Sequence, residues 1–123
     1  MVDKKRLSIE LTHKDLDGIF VFALKGSVDL DGARGLEGLA NACVLQGVTR
    51  IVLDLSGVNE MTAPGLGAFF EFSREMEAQK GRLVLVKLSS KVKQTFRLHE
   101  VLDQFTIATS TEKAIAQLKD HHN

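Results

Sequence analysis

Two short segments, RIVLDL at residues 50–55 and RLVLVKL at 82–88, are apolar almost without interruption, and a stretch of helical character over about residues 63–80 separates them. A strand that is apolar on both faces needs cover on both sides of its sheet, which is the pattern of buried parallel strands. Parallel neighbours in turn require a crossover, and a helix is the usual one. These segments therefore commit the chain to an α/β sheet with helices packed on it.

The flanking sequence extends the pattern. LSIELTH alternates with Leu7, Ile9 and Leu11 on one side, as a half-buried edge strand does. GIFVFALKG places Phe20, Phe22 and Leu24 on one face and Ile19, Val21 and Ala23 on the other, and Asp17-Gly18 between the two strands signals a hairpin. Asp29 and Asp31 offer N-caps to a helix ending near residue 46, with Ala33, Leu36, Ala40 and Cys43 as its apolar stripe and Gly47 as its stop. Gly81 is expected to close the helix over 63–80. Ser89-Ser90 caps a third helix carrying Val92 and Phe96, and FTIA reads as a last strand. Thr109 with Glu112 forms a capping box for a final helix carrying Ile115 and Leu118. The order is β-β-α-β-α-β-α-β-α: a mostly parallel sheet with an N-terminal antiparallel hairpin and about four helices, in one domain spanning residues 1–123.

Composition narrows the function. Sixteen basic residues balance sixteen acidic ones, with no basic run longer than Lys4-Lys5-Arg6, so the chain lacks the electrostatic footprint of a nucleic-acid binder. One cysteine, Cys43, permits no intrachain disulfide. No apolar run has the length of a membrane span, and the N-terminus lacks the apolar core of a signal peptide, so a cytoplasmic protein is expected. His13, His99, His121 and His122 are scattered and Cys43 lies on an apolar stripe, so no nucleophile–base pair, metal set or cofactor emerges; a non-enzyme is expected.

In α/β sheets function gathers where strands end and helices begin. Here that is SGVNEMTAPGLG at residues 56–67, read as a polar loop leading into a helix. Thr62 is placed to cap that helix and Pro64 suits its first turn, where no N–H is needed. Gly65, Ala68, Phe69, Phe72 and Met76 form the core stripe, whereas Leu66 and Phe70 fall at its border and are expected to leave a partly exposed apolar patch. An anion at the N–H groups of residues 63–65 is a weaker alternative to a ligand-free cap.

The segment IVLDLSGVNEMTAPGLGAFFEF, together with LKGSVD and LDQFTIATSTEKAIAQL, resembles the STAS domain family of bacterial anti-sigma factor antagonists. The resemblance implies a partner that is both anti-sigma factor and serine kinase, of the histidine-kinase-like ATPase type, or other STAS proteins. It also implies a serine switch at the start of the helix, whose phosphorylation blocks binding. Laid on this chain, the phosphoacceptor falls on Ala63, which has no hydroxyl, and the residue before it is Thr62. The expected reading is an antagonist without the usual switch. The alternatives are a scaffold subunit of a STAS assembly, or a switch moved to Thr62. The expected docking surface comprises Thr62, Ala63, Gly65, Leu66 and Phe70, with Asp29 and Ser56 on neighbouring loops, and homodimerisation stays open. Asp54 invites comparison with the phosphoacceptor of receiver domains, but LSIELTH provides no acidic pair for magnesium and the chain opens with a hairpin rather than β-α-β.

Overall fold

The structure, a computed structural model, describes residues 6–120; His121 and His122 lie outside them. Five strands form one sheet in the order of the chain: β1 (Ser8–Lys14), β2 (Ile19–Val28), β3 (Arg50–Met61), β4 (Arg82–Val86) and β5 (Thr106–Ala108). β1 pairs antiparallel with β2, and the other pairs are parallel. The intervening helices are α1 (Leu30–Gln46), α2 (Ala63–Ala78) and α3 (Ser90–Leu98), followed by a 3-10 turn at Leu102–Gln104; α4 (Thr111–Lys119) closes the fold. The sequence order of elements is therefore the order found, with the 3-10 turn added.

Strands laid down in one direction with same-handed crossovers put all their helices on one face. Accordingly α1, α2 and α3 bury Leu36, Phe69, Phe72, Val92 and Phe96 against Phe22, Leu24, Leu53 and Leu85. On the other face α4 sets Ala114 and Leu118 over Ile19, Val21, Val52, Val84 and Val86. A nine-residue helix spans about 14 Å. It leaves Ala23 half-buried and Lys25 exposed on the same side of β2.

Local chemistry explains most boundaries. Asp29 alone caps α1, its Oδ1 accepting from the Gly32 N–H at 3.0 Å, while Asp31 sits in the first turn. Gly47 ends α1 at φ +71°. The hairpin turn closes through the Gly18 N–H to Asp15 O at 3.1 Å, with Gly18 at φ +78°. In β1, Ile9 stands opposite Leu24 and Leu11 opposite Phe22 in the same register, yet Leu11 is exposed; a bulge follows between Leu11 and His13.

Three expectations need correction. First, the third strand does not stop at Leu55. It runs to Met61, because the ten-residue β2 continues past β4 and pairs Lys25–Val28 with residues 57–61 across two bulges.

Second, α2 ends at Ala78, and the left-handed residue after it is Lys80 (φ +61°), not Gly81. Lys80 donates to Glu77 O and Gly81 to Met76 O, a Schellman closure. Gly81 is glycine for a different reason: a Cβ there would overlap the Thr49 carbonyl.

Third, the cap of α4 is Ser110, whose Oγ accepts from the Lys113 N–H at 3.1 Å, so the Thr109–Glu112 box does not form. Ser110→Ala is expected to cost about 1 kcal/mol in urea unfolding and Thr109→Ala close to nothing. The reverse ranking would restore the capping box.

Candidate functional site: the paired ends of α1 and α2

β2 and β3 finish in register, with Val28 opposite Met61. The next residue on each strand is an N-cap, Asp29 for α1 and Thr62 for α2. Two helix N-termini therefore emerge side by side from adjacent parallel strands, the position at which α/β folds usually build sites.

Thr62 is held from both sides. Its N–H donates to Val28 O at 3.1 Å, and its hydroxyl donates to the same oxygen at 3.3 Å. The hydroxyl oxygen also lies 3.5 Å from the Gly65 N–H, as the cap of the helix. The single hydroxyl proton is thus directed inward onto the β2 terminus, and the side chain is half-buried. A phosphate on this oxygen would replace the proton that makes the Val28 bond.

Ala63 and Pro64 follow at the first two helical positions, both exposed. Gly65 is buried, and a Cβ on it would overlap the Val28 carbonyl. It is the contact that lets α2 start directly above the end of β2, not an exposed docking residue.

Leu66 also departs from expectation. It is 6% exposed and belongs to the core cluster shared by α1, α2 and α3. Phe70 is half-buried, its ring edge-on to Phe105 at 5.6 Å. The expected apolar patch therefore contains part of Phe70 and none of Leu66.

Ser56 is exposed, but on β3 rather than on a loop; its N–H donates to Asp54 Oδ1 at 2.9 Å. Six residue steps along an extended strand, up to about 20 Å, separate it from Thr62, so it does not join the site. Asp54 itself lies within β3, with Lys87 Nζ at 3.8 Å.

Leu30, which the sequence did not single out, does join the site. It is the first residue of α1 and 57% exposed. By helical period it sits one turn before Ala33 on the buried stripe, but it lies past the end of β2 and is left exposed. The surface at the paired helix ends thus carries Leu30, Ala63, Pro64 and the exposed Gly67, a small and largely apolar set.

Away from this corner, burial pushes the Cys43 thiol up to about 11, so it stays protonated and inert at neutral pH. Among the described residues no three His, Cys, Asp or Glu side chains are placed to share a metal ion, and no helix is long and apolar enough to cross a membrane.

Comparison with known proteins agrees with this architecture. The STAS domain family matches residues 10–114. BtrV of Bordetella bronchiseptica, whose name classes it with the anti-sigma factor antagonists, is 32% identical over 111 residues, covering 90% of this chain and 96% of that protein. The anti-sigma F factor antagonist of Lysinibacillus sphaericus is 28% identical over 100 residues, covering 80% and 85%. The crystal structure of an anti-sigma factor antagonist from Mycobacterium paratuberculosis shares the fold, with a TM-score of 0.76 over 92% of this chain and 96% of that one at 22% identity. With the family match spanning most of the strands and helices described above, the chain belongs to the STAS domain family.

Proposed function

We propose that this chain is a non-catalytic, cytoplasmic regulator of the anti-sigma factor antagonist type, with residues 1–123 forming one STAS domain. Its partner is an anti-sigma factor that is also a serine kinase of the histidine-kinase-like ATPase type. The docking surface is the paired helix ends, centred on Thr62, Ala63 and Pro64 and flanked by Leu30, Asp29 and Phe70. The names of the two relatives support the antagonist reading.

One observation carries the finer reading. The exposed start of α2 is Ala63-Pro64, without a hydroxyl, and the hydroxyl beside it on Thr62 is already committed to Val28 and to the helix cap. A surface of this kind docks a partner without offering it a phosphoacceptor. The same bonds weigh against a switch on Thr62.

The test begins with capture of the partner from lysate of the source organism by the tagged protein. The recovered kinase is then incubated with ATP and either the wild type or Ala63→Ser, and intact mass is read. Wild type is expected to stay unmodified and Ala63→Ser to gain one phosphate. Phosphate on wild-type Thr62 would move the switch to that residue, and a bound kinase that leaves Ala63→Ser unmodified would sink the docking geometry. Recovery of other STAS proteins with no such kinase would support a scaffold subunit instead.

A further inference from the structure

α1, α2 and α3 bury their apolar stripes in one core on the same side of the sheet, α2 and α3 meeting through the rings of Phe69 and Phe96, so their outer faces look out from that side. Charge is unevenly spread on it. Between α1 and α2 runs a cleft of about 250 Å³, with Ala40, Ala68 and Phe72 along its floor and Glu37, Glu71 and Glu75 on its rim. Glu71 has Arg74 at 3.4 Å; Glu37 and Glu75 have no cationic partner among the described residues.

α3 is the complement. It carries Lys91, Lys93 and Arg97, with no acidic residue in the helix, and none of the three cations pairs with a carboxylate among the described residues. Val92 and Phe96 face the core, so helical geometry turns these cations outward, together with Leu98, which is 74% exposed. Acidic cleft and basic ridge thus lie on the same surface of a chain whose net charge is zero, so no long-range repulsion opposes self-association.

We propose that this helical surface pairs with a second copy of the chain. α3 of each copy seats in the α1–α2 cleft of the other, Leu98 meeting the alanine floor and the cations meeting the glutamate rim. A two-fold axis between cleft and ridge repeats the contact, so the assembly closes as a dimer instead of growing into a filament. This inference does not depend on the antagonist reading.

The test is sedimentation of the full chain over a range of concentration at low and high salt, with two charge-reversed variants. One replaces Glu37, Glu71 and Glu75 by Lys; the other replaces Lys91, Lys93 and Arg97 by Glu. Wild type is expected to dimerise, with a dissociation constant that rises roughly tenfold at high salt. Each variant alone is expected to be monomeric, and an equimolar mixture to form a heterodimer, because the reversed cleft now fits the reversed ridge. A monomeric wild type at the highest concentration would overturn the proposal. So would variants that dimerise alone as the wild type does, or a mixture that stays monomeric. Circular dichroism on each variant separates lost pairing from lost folding.

Discussion

Gly65→Ala is expected to destabilise the protein by about 2–3 kcal/mol, while Gly67→Ala, two residues along the same helix, is expected to stabilise it by about 0.5–1 kcal/mol. The opposite signs follow from what a methyl group meets. At Gly65 it overlaps the Val28 carbonyl, and that oxygen already receives both the N–H and the hydroxyl of Thr62. Backbone held by two hydrogen bonds cannot move aside cheaply, so α2 must lift from the end of β2. At Gly67 a Cβ has nothing within 4 Å and lies on the exposed side of the helix. There alanine simply lowers the conformational freedom of the unfolded chain. Denaturant unfolding reads both values, and equal effects at the two positions would show that Gly65 does not set the height of α2. Partner binding should fall with Gly65→Ala even where the protein remains folded, because the paired helix ends are no longer level.

Phe96→Ala is expected to cost about 3–5 kcal/mol, the range for an aromatic ring removed from a closed core. Phe96 is fully buried and joins two others, with ring centroids 6.4 Å from Phe69 and 5.2 Å from Phe105. Phe105 in turn holds the edge of Phe70, so one row of rings links the core to the half-buried flank of the proposed docking surface. Phe70→Ala lies at the solvent end of that row. It is expected to cost only about 1–2 kcal/mol of stability, less than full burial would imply. Its loss in partner affinity should exceed that, more than tenfold, if the exposed part of the ring is an anchor. Calorimetry of unfolding and of binding on the two variants separates the roles. Matching losses of stability and affinity for Phe70→Ala would reduce it to a core residue.

The site was legible only in part, for reasons that particular residues make plain. Thr62 and Asp29 were readable as caps, because a cap is a local contract between one side chain and an N–H three residues on, and both formed. Gly65 was visible as a glycine of the motif, but its cause, the Val28 carbonyl, lies 37 residues earlier and belongs to a different strand. Ser56 looked like a loop residue because SGVNE is polar. Pairing with β2 overrode that local preference and drew it into β3. Leu66 looked marginal on a helical wheel because the wheel shows one helix alone, whereas its burial comes from the neighbouring elements of the same core. Thr109 was read as the last cap because Glu112 stands three residues on, but β5 ends at Ala108 and the helix begins at Thr111, which makes Ser110 the cap.

What this sequence determined by itself was everything carried at short range. The two-faced apolar strands, the helical stripe of Ala33, Leu36, Ala40 and Cys43, the cap at Ser89 and the stop at Gly47 each follow from chain periodicity and side-chain chemistry within a few residues. Together they fixed the element order and the parallel sheet. Tertiary structure decided what depends on residues far apart: how far β3 runs, how closely α2 approaches Val28, and that Asp29 and Thr62 end up as neighbours. It also decided that the hydroxyl next to the exposed Ala63 points inward. Periodicity and capping act within a turn or a strand, whereas register and close approach are set by the partner strand, whose chemistry no local window contains.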